Sequence, residues 1–189
     1  MTSEPAFMRH VKSHPPLEPL RTLVEALERG GVPCALGGSG LLAALGLADA
    51  VRDWDLMVDA PAREVYARLD PARVRYVGSD ALHADEKLEL PADQVEIICR
   101  FAFYVKGGVV TLPASISERR DGIPLASPEV WAAAYWLLGR NAKAEALLAH
   151  LGRIGAHPDR IRDLLGQPIP EDLAARLRGV PLRDASRIT

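Results

Sequence analysis

Two short apolar runs, each bounded on one side by glycine or acidic residues, constrain the fold more than any other feature of this sequence. Residues 33–36 form an apolar run that stops at the Gly-Gly-Ser triplet 37–39, and residues 40–47 then have the composition of a helix. The second run, 56–58, follows directly on the Asp-Trp-Asp triplet 53–55. The pattern predicts a buried strand, a glycine turn, a helix and a second buried strand, in that order.

The composition is that of a globular protein that needs no covalent staple. Of the 189 residues, 48% are hydrophobic and 25% are charged, which suits one domain with an appended subdomain, or two small domains. The net charge of -2 gives no electrostatic footprint for non-specific nucleic-acid binding. Cys34 and Cys99 are too few for a disulfide framework, and no segment resembles a signal peptide or a membrane span. We therefore expect a cytoplasmic protein with no membrane partner.

The remaining pattern predicts a mixed β-sheet flanked by helices, an α/β (α+β) fold, with a C-terminal helical subdomain. We expect a flexible leader over 1–16, an α/β domain over 17–126 and the helical subdomain over 127–189. Further strands are predicted at 74–77, 87–90, 94–104 and 109–112, and helices at 17–29, 62–69, 130–138, 143–151, 158–165 and 171–177. The helical tail is amphipathic, which leaves open whether it packs on its own domain, on a second copy or on another protein.

Acidic residues in strand-like surroundings are the best candidates for chemistry. Asp53 and Asp55 are two residues apart, so on a strand they point to one face while Trp54 points to the other. Two such carboxylates repel each other unless a divalent cation neutralises them, and a third acid would complete an oxygen site suited to Mg²⁺. Glu96 is our preferred third acid, and Glu89, which has similar apolar neighbours, is the alternative. The competing explanation is the solvated face of an edge strand.

The glycine-serine triplet has two interpretations of its own. A glycine pair at a strand-to-helix junction lets a phosphate approach the backbone, and the hydroxyl of Ser39 adds a donor. Alternatively, Gly37 and Gly38 make a tight turn and Ser39 caps the next helix. No Gly-Lys-Ser/Thr follows, so the triplet is not a Walker A loop.

Taken together, the motifs resemble those of the polymerase-β-type minimal nucleotidyltransferase superfamily. The resemblance is carried by Gly38-Ser39, a gap of thirteen residues, the Asp53 and Asp55 pair, and later Glu96 between two β-forming residues. A Ser-Pro-Glu helix start at 127–129, followed by arginine and lysine, is similar to small abortive-infection and toxin–antitoxin nucleotidyltransferases. The resemblance implies a nucleotidyltransferase-like mixed sheet.

It also implies an activity and a set of site residues. A nucleoside monophosphate would pass from a nucleoside triphosphate to the hydroxyl of an unidentified acceptor, a small molecule, RNA or protein, with release of pyrophosphate. The metal, Mg²⁺ or Mn²⁺, and the catalysis are assigned to three acids: Asp53, Asp55 and Glu96. The nucleotide contacts are assigned to five further residues: Gly37, Gly38, Ser39, Arg140 and Lys143.

Three positions depart from the family pattern. Val51 stands where a threonine or serine is common, Ala134 where a lysine precedes the tyrosine, and Ala144 where an aspartate follows the second lysine. These departures keep a second function open, a catalytically inactive nucleotidyltransferase-fold module that binds a nucleotide or a protein. A purely structural α/β domain explains each residue separately but not their order.

Overall fold

A seven-stranded mixed sheet forms the centre of the fold in the computed structural model, which describes residues 8–183. Its strand order is β3-β4-β5-β2-β1-β9-β8, and β6 and β7 form a separate hairpin. The pairs β2–β5 and β1–β9 are parallel and the other pairs are antiparallel, so the predicted mixed sheet is confirmed. The strands are β1 (Cys34–Leu36), β2 (Trp54–Val58), β3 (Arg75–Val77), β4 (Glu86–Leu90), β5 (Val95–Cys99), β6 (Ala102–Val105), β7 (Gly108–Thr111), β8 (Ile116–Arg120) and β9 (Ile123–Ala126).

Helices flank this sheet, as predicted. They are α1 (Leu17–Arg29), α2 (Gly38–Ala44), α3 (Ala62–Tyr66), α4 (Pro128–Leu137), α5 (Asn141–Ile154), α6 (Pro158–Leu165) and α7 (Glu171–Arg178). Ser127 caps α4 by accepting a hydrogen bond from the backbone N–H of Val130, and most of α4 is buried. In the range 8–183, no helix combines the length and apolar composition needed to cross a bilayer.

The two faces of β2 have different surroundings. Trp54 is fully buried on one face, where its indole N–H donates to the carbonyl of Pro16. Met57 lies on the other face, the face of Asp55, and its sulfur accepts a hydrogen bond from the indole N–H of Trp131 at 2.9 Å. Helix α4 therefore covers the part of this face around Met57, and Asp55 lies at the edge of the covered area.

Four elements differ from the prediction. The strand predicted over 94–104 is two strands in different sheets, because Arg100 adopts a φ of 54° and turns the chain between β5 and β6. Strand β8 was missed because most of its residues are polar and at least partly exposed, and β9 was missed because it is short and contains Pro124. Helix α2 begins at Gly38 rather than after Ser39, so Ser39 lies inside the first turn and does not cap the helix.

The predicted domain boundaries at residues 16 and 126 stay a prediction. The described residues show only how the leader and the C-terminal tail pack. Residues 1–7 of the predicted leader and 184–189 of the predicted helical subdomain lie outside the described residues. Within the leader, Met8 is fully buried and Ser13 forms a β-bridge with Ala50. In the tail, Gln167 accepts a hydrogen bond from the backbone N–H of Thr111 at 2.7 Å, so this segment contacts its own chain.

Candidate functional site

Three carboxylates lie in one row across three neighbouring strands. The parallel pairing of β2 and β5 places Asp55 opposite Glu96, and the antiparallel pairing of β4 and β5 places Glu89 opposite Glu96. Directly paired residues share a face of the sheet, and like charges in such positions destabilise it. Each carboxylate in this row therefore requires a proton or a counter-charge. Glu89 has one, because Arg75 lies opposite it on β3 and forms an ion pair with it.

A cleft of about 500 Å³ opens above the inner part of this row. It is lined by Ser39, Ala50, Arg52, Asp53, Asp55, Lys87, Glu96, Tyr135, Arg140 and Lys143. The structure thus brings six of the predicted site residues to one cleft: Asp53, Asp55, Glu96, Ser39, Arg140 and Lys143. Glu89 lines an adjoining cleft of about 320 Å³ instead. A separate cavity of about 550 Å³, whose lining includes Tyr66, Tyr76 and Arg100, shares no lining residue with the cleft.

The two predicted glycines lie behind the cleft wall and are buried. A Cβ atom on Gly38 would lie 1.6 Å from Oδ2 of Asp55, and one on Gly37 would lie 2.1 Å from the ring of Trp131. Gly38 also has a φ of +54°, a conformation that side chains rarely adopt. Glycine is therefore required here by the close approach of Asp55 and Trp131, whether or not a phosphate binds. The predicted phosphate contacts of Gly37 and Gly38 stay a prediction.

Asp55 is half-buried at the bottom of the cleft. Burial, and then the negative charges of Glu96 and Asp53, raise the pKa of its carboxyl group to about 7. Lys87 and Arg140 act in the opposite direction but do not cancel this effect. Because the ionised form of Asp55 is disfavoured without a nearby cation, its position suits a ligand for a positive ion.

The carboxylate of Glu96 already has a cationic partner that the sequence reasoning missed. Lys87, on β4, donates a hydrogen bond from Nζ to Oε1 of Glu96 at 2.9 Å, and the two side chains are 22% and 25% exposed. Burial lowers the pKa of Lys87, but Glu96, Asp85 and Asp55 outweigh it, so the net shift is upward and Lys87 is a cation. The available signal was strand alternation, which places Lys87 on the same face as Glu89.

Asp53 is less firmly held than Glu96. Its Oδ2 lies 3.0 Å from the guanidinium of Arg52, whose side chain is 85% exposed, and such surface pairs contribute little. Carboxylate oxygens of Asp53 and Asp55 are the donor type that Mg²⁺ prefers, so this pair fits the ion. Over residues 8–183, however, no three His, Cys, Asp or Glu side chains are grouped so that they could hold a metal ion. The predicted three-carboxylate metal site therefore stays a prediction.

The junction of α4 and α5 contributes a cationic wall. The backbone N–H of Arg140 donates to the carbonyl of Tyr135, and the ammonium of Lys143 lies 5.2 Å from the centre of the Tyr135 ring. Burial, reinforced by the charge of Arg140, lowers the pKa of Lys143. Ala134 and Ala144 are fully buried, so these two departures from the family pattern lie in the packed interior.

The charge balance of the cleft differs from the one that the sequence indicated. Arg52 and Lys87 join Arg140 and Lys143, so four cationic side chains face three carboxylates. Only Arg140 and Lys143 were predicted from the sequence as cationic residues of the site. A cleft with this balance can bind a polyanion once the carboxylates are neutralised.

Comparisons with known proteins agree with this arrangement at the level of fold. A scan of known protein families and a comparison with curated proteins find no match. Among solved structures, a protein from Thermotoga maritima, provisionally assigned as a nucleotidyltransferase, is 25% identical, with a TM-score of 0.50 over 72% of this chain and 92% of that one.

The antibiotic-resistance factor ANT(2″)-Ia has the same fold. Its solution structure is 15% identical, with a TM-score of 0.50 over 85% of this chain and 92% of that one. Its crystal structure in complex with adenylyl-2″-tobramycin is 13% identical, with a TM-score of 0.52 over 86% and 96% of the two chains. The match to the Thermotoga maritima structure, together with the mixed sheet and its flanking helices, assigns this chain to the nucleotidyltransferase superfamily.

Proposed function

We propose that the protein is a metal-dependent nucleotidyltransferase, which transfers a nucleoside monophosphate from a nucleoside triphosphate to an acceptor hydroxyl and releases pyrophosphate. The observation that carries the proposal is the shared cleft, in which the Asp53 and Asp55 pair faces the cationic side chains of Arg140 and Lys143. The superfamily fold supports nucleotidyl transfer in general. The metal, the nucleotide and the acceptor are our proposal.

In this proposal the residues of the cleft have separate tasks. Asp53 and Asp55 hold a divalent ion, Mg²⁺ or Mn²⁺, which when bound supplies positive charge to the oxygens of the triphosphate. Arg140 and Lys143 neutralise the remaining phosphate charge, and the hydroxyl of Ser39 donates to a phosphate oxygen. Gly37 and Gly38 have an indirect task, since their lack of side chains leaves room for Asp55 and Trp131 beside the cleft.

The transfer itself requires one bond to form and one to break. The acceptor oxygen attacks the α-phosphorus, the bond from that phosphorus to the oxygen shared with the β-phosphate breaks, and pyrophosphate leaves with the electron pair. The acceptor proton passes to a base on the same face, for which Glu96 is the candidate, or to water. For ANT(2″)-Ia the structure contains an adenylylated aminoglycoside, so an amino sugar belongs among the acceptors to test here, beside RNA and protein.

A second function, a binding module without turnover, is favoured by two observations. Glu96 is paired with Lys87, and in the described part of the chain no three ligands converge on an ion. Such a protein would bind a nucleotide in the same cleft but leave it intact.

Binding and turnover measured on the same variants separate the two functions. Calorimetry with a non-hydrolysable nucleoside triphosphate and Mn²⁺ should show binding by the wild type that Asp55→Asn abolishes. Asp163→Asn, a change at a side chain 74% exposed, is the matched control and should bind normally. Transfer of an α-labelled nucleotide to any of the three acceptor classes, lost in Asp55→Asn, would establish the enzyme. Binding without transfer would establish the module, and no binding by the wild type would refute both.

A further inference from the structure

We propose that the ammonium of Lys87 takes the place of a second divalent ion in the cleft. The protein then binds a single divalent ion through Asp53 and Asp55, and Glu96 is not a ligand of that ion. The inference deepens the proposed function, because it rests on the same metal-binding carboxylates. It also explains why three acidic side chains line the cleft although, over residues 8–183, no three His, Cys, Asp or Glu side chains are grouped so that they could hold a metal ion.

The sheet register fixes Lys87 next to Glu96. In the ladder, Glu89 lies opposite Glu96, and Lys87 is two residues from Glu89 on the same face of β4. This diagonal position is within reach of a long side chain, and Nζ of Lys87 does lie 2.9 Å from Oε1 of Glu96. Lys87 comes from an inner strand of the sheet, between β3 and β5, so its backbone is held on both sides.

Two of the three carboxylates in the row, those of Glu89 and Glu96, each form an ion pair with a cationic side chain. Glu89 is paired with Arg75 and Glu96 with Lys87, both by residues of the sheet itself. Asp55 is the next carboxylate in the row, and no ion pair of its side chain is found among the described residues. Its neighbour in the cleft is Asp53, which is held only by the exposed guanidinium of Arg52. Two carboxylates with a combined charge of about -2 match one divalent ion.

A second divalent ion at Glu96 would meet the ammonium of Lys87. Lys87 is only 22% exposed, so it would have to leave a mostly enclosed position in order to free the Glu96 carboxylate. If it stayed, its positive charge would lie beside the incoming ion and repel it. The same ammonium faces the cleft, where it is placed to contact a phosphate oxygen of the nucleotide.

Counting bound Mn²⁺ tests the inference without any measurement of activity. Mn²⁺ alone is titrated into the full-length protein, and electron paramagnetic resonance of the free ion gives the number bound per chain. We expect one ion for the wild type, two for Lys87→Met, which frees Glu96, and one for the double variant Lys87→Met/Glu96→Gln. Lys143→Met, a matched change at the other lysine of the cleft, should leave the count at one.

The outcomes separate this inference from the proposed function. Two ions on the wild type, or a single ion on a folded Lys87→Met, overturn the inference and leave the proposed function standing. No ion on the wild type overturns the proposed function together with the inference. If Lys87→Met does not fold, as judged by circular dichroism, the wild-type count and that of Lys87→Arg, expected to remain at one, still decide the question.

Discussion

Replacing Asp55 by asparagine is expected to stabilise the metal-free protein at alkaline pH, although it removes a candidate metal ligand. The folded protein holds the pKa of Asp55 at about 7, above the ordinary value of 3.8. Between these two pH values the folded state binds more protons than the unfolded state, so the free energy of unfolding falls as the pH rises. The stabilisation from the protonated carboxyl is complete below about pH 4 and is lost by the time the pH passes about 7. Asparagine does not titrate and avoids this loss.

The size of the effect follows from the same shift. The difference between the two pKa values corresponds to about 4 kcal/mol, at about 1.36 kcal/mol for each pH unit. Because the Asp55 side chain retains some contact with solvent, screening reduces the expected gain to about 1–2 kcal/mol. The free energies of unfolding of the two proteins should be close at about pH 4 and should differ by this amount at about pH 8.

Urea unfolding in the presence of a chelator, followed by tryptophan fluorescence, measures the effect across this pH range. The difference between Asp55→Asn and the wild type is the quantity of interest, since it cancels the titration of all groups that do not interact with Asp55. Asp163→Asn, at an exposed position, should follow the wild type at every pH. The reasoning is refuted if Asp55→Asn remains parallel to the wild type, or if it loses stability relative to the wild type as the pH rises.

Three further predictions concern the glycine turn and the packed core. Gly38→Ala should lower the free energy of unfolding, measured with urea, by at least about 3 kcal/mol, because of strain at positive φ and the clash with Asp55. Gly46→Ala is the control: its φ is +74° but the space around it is open, so it should cost only about 1–2 kcal/mol. Phe103→Ala, at a fully buried side chain, should cost about 3–5 kcal/mol by the same assay, and a loss below about 1 kcal/mol would contradict its burial. Burial raises the thiol pKa values of Cys34 and Cys99 to about 12, so a thiol reagent at pH 8 should label them only after unfolding, and rapid labelling of the folded protein would contradict this.

Sequence patterns predicted the elements whose burial is regular. Strand β2 was predicted because Leu56 to Val58 are apolar, and α1 because its buried residues recur at helical spacing. Strand β8 has no such pattern, since it lies at the edge of the sheet and is mostly polar. The break at Arg100 was missed because no glycine or proline marks it, and an arginine with positive φ is uncommon.

The candidate site was predictable as far as it depends on positions within one strand. Asp53 and Asp55 were chosen from strand alternation and from the Gly38-Ser39 turn that precedes them, and they line one cleft. The neighbours of Glu96 depend instead on the register of β4 against β5, which is set by long-range pairing and cannot be derived from either strand by itself. For this reason Lys87, which donates a hydrogen bond to Glu96, was not among the predicted residues.

The parallel pairing of β2 and β5 has a consequence for how the cleft is made. Asp55 and Glu96 meet across this ladder, although β3 and β4 lie between them in the chain. Such pairing between distant segments forms slowly, because the chain loses the entropy of closing a long loop before any favourable contact has formed. Arg140 and Lys143 lie still later in the chain, beyond β9. A nascent chain that ends before α4 therefore has the carboxylates of the cleft without Arg140 and Lys143, and competence to bind a triphosphate is acquired late in synthesis.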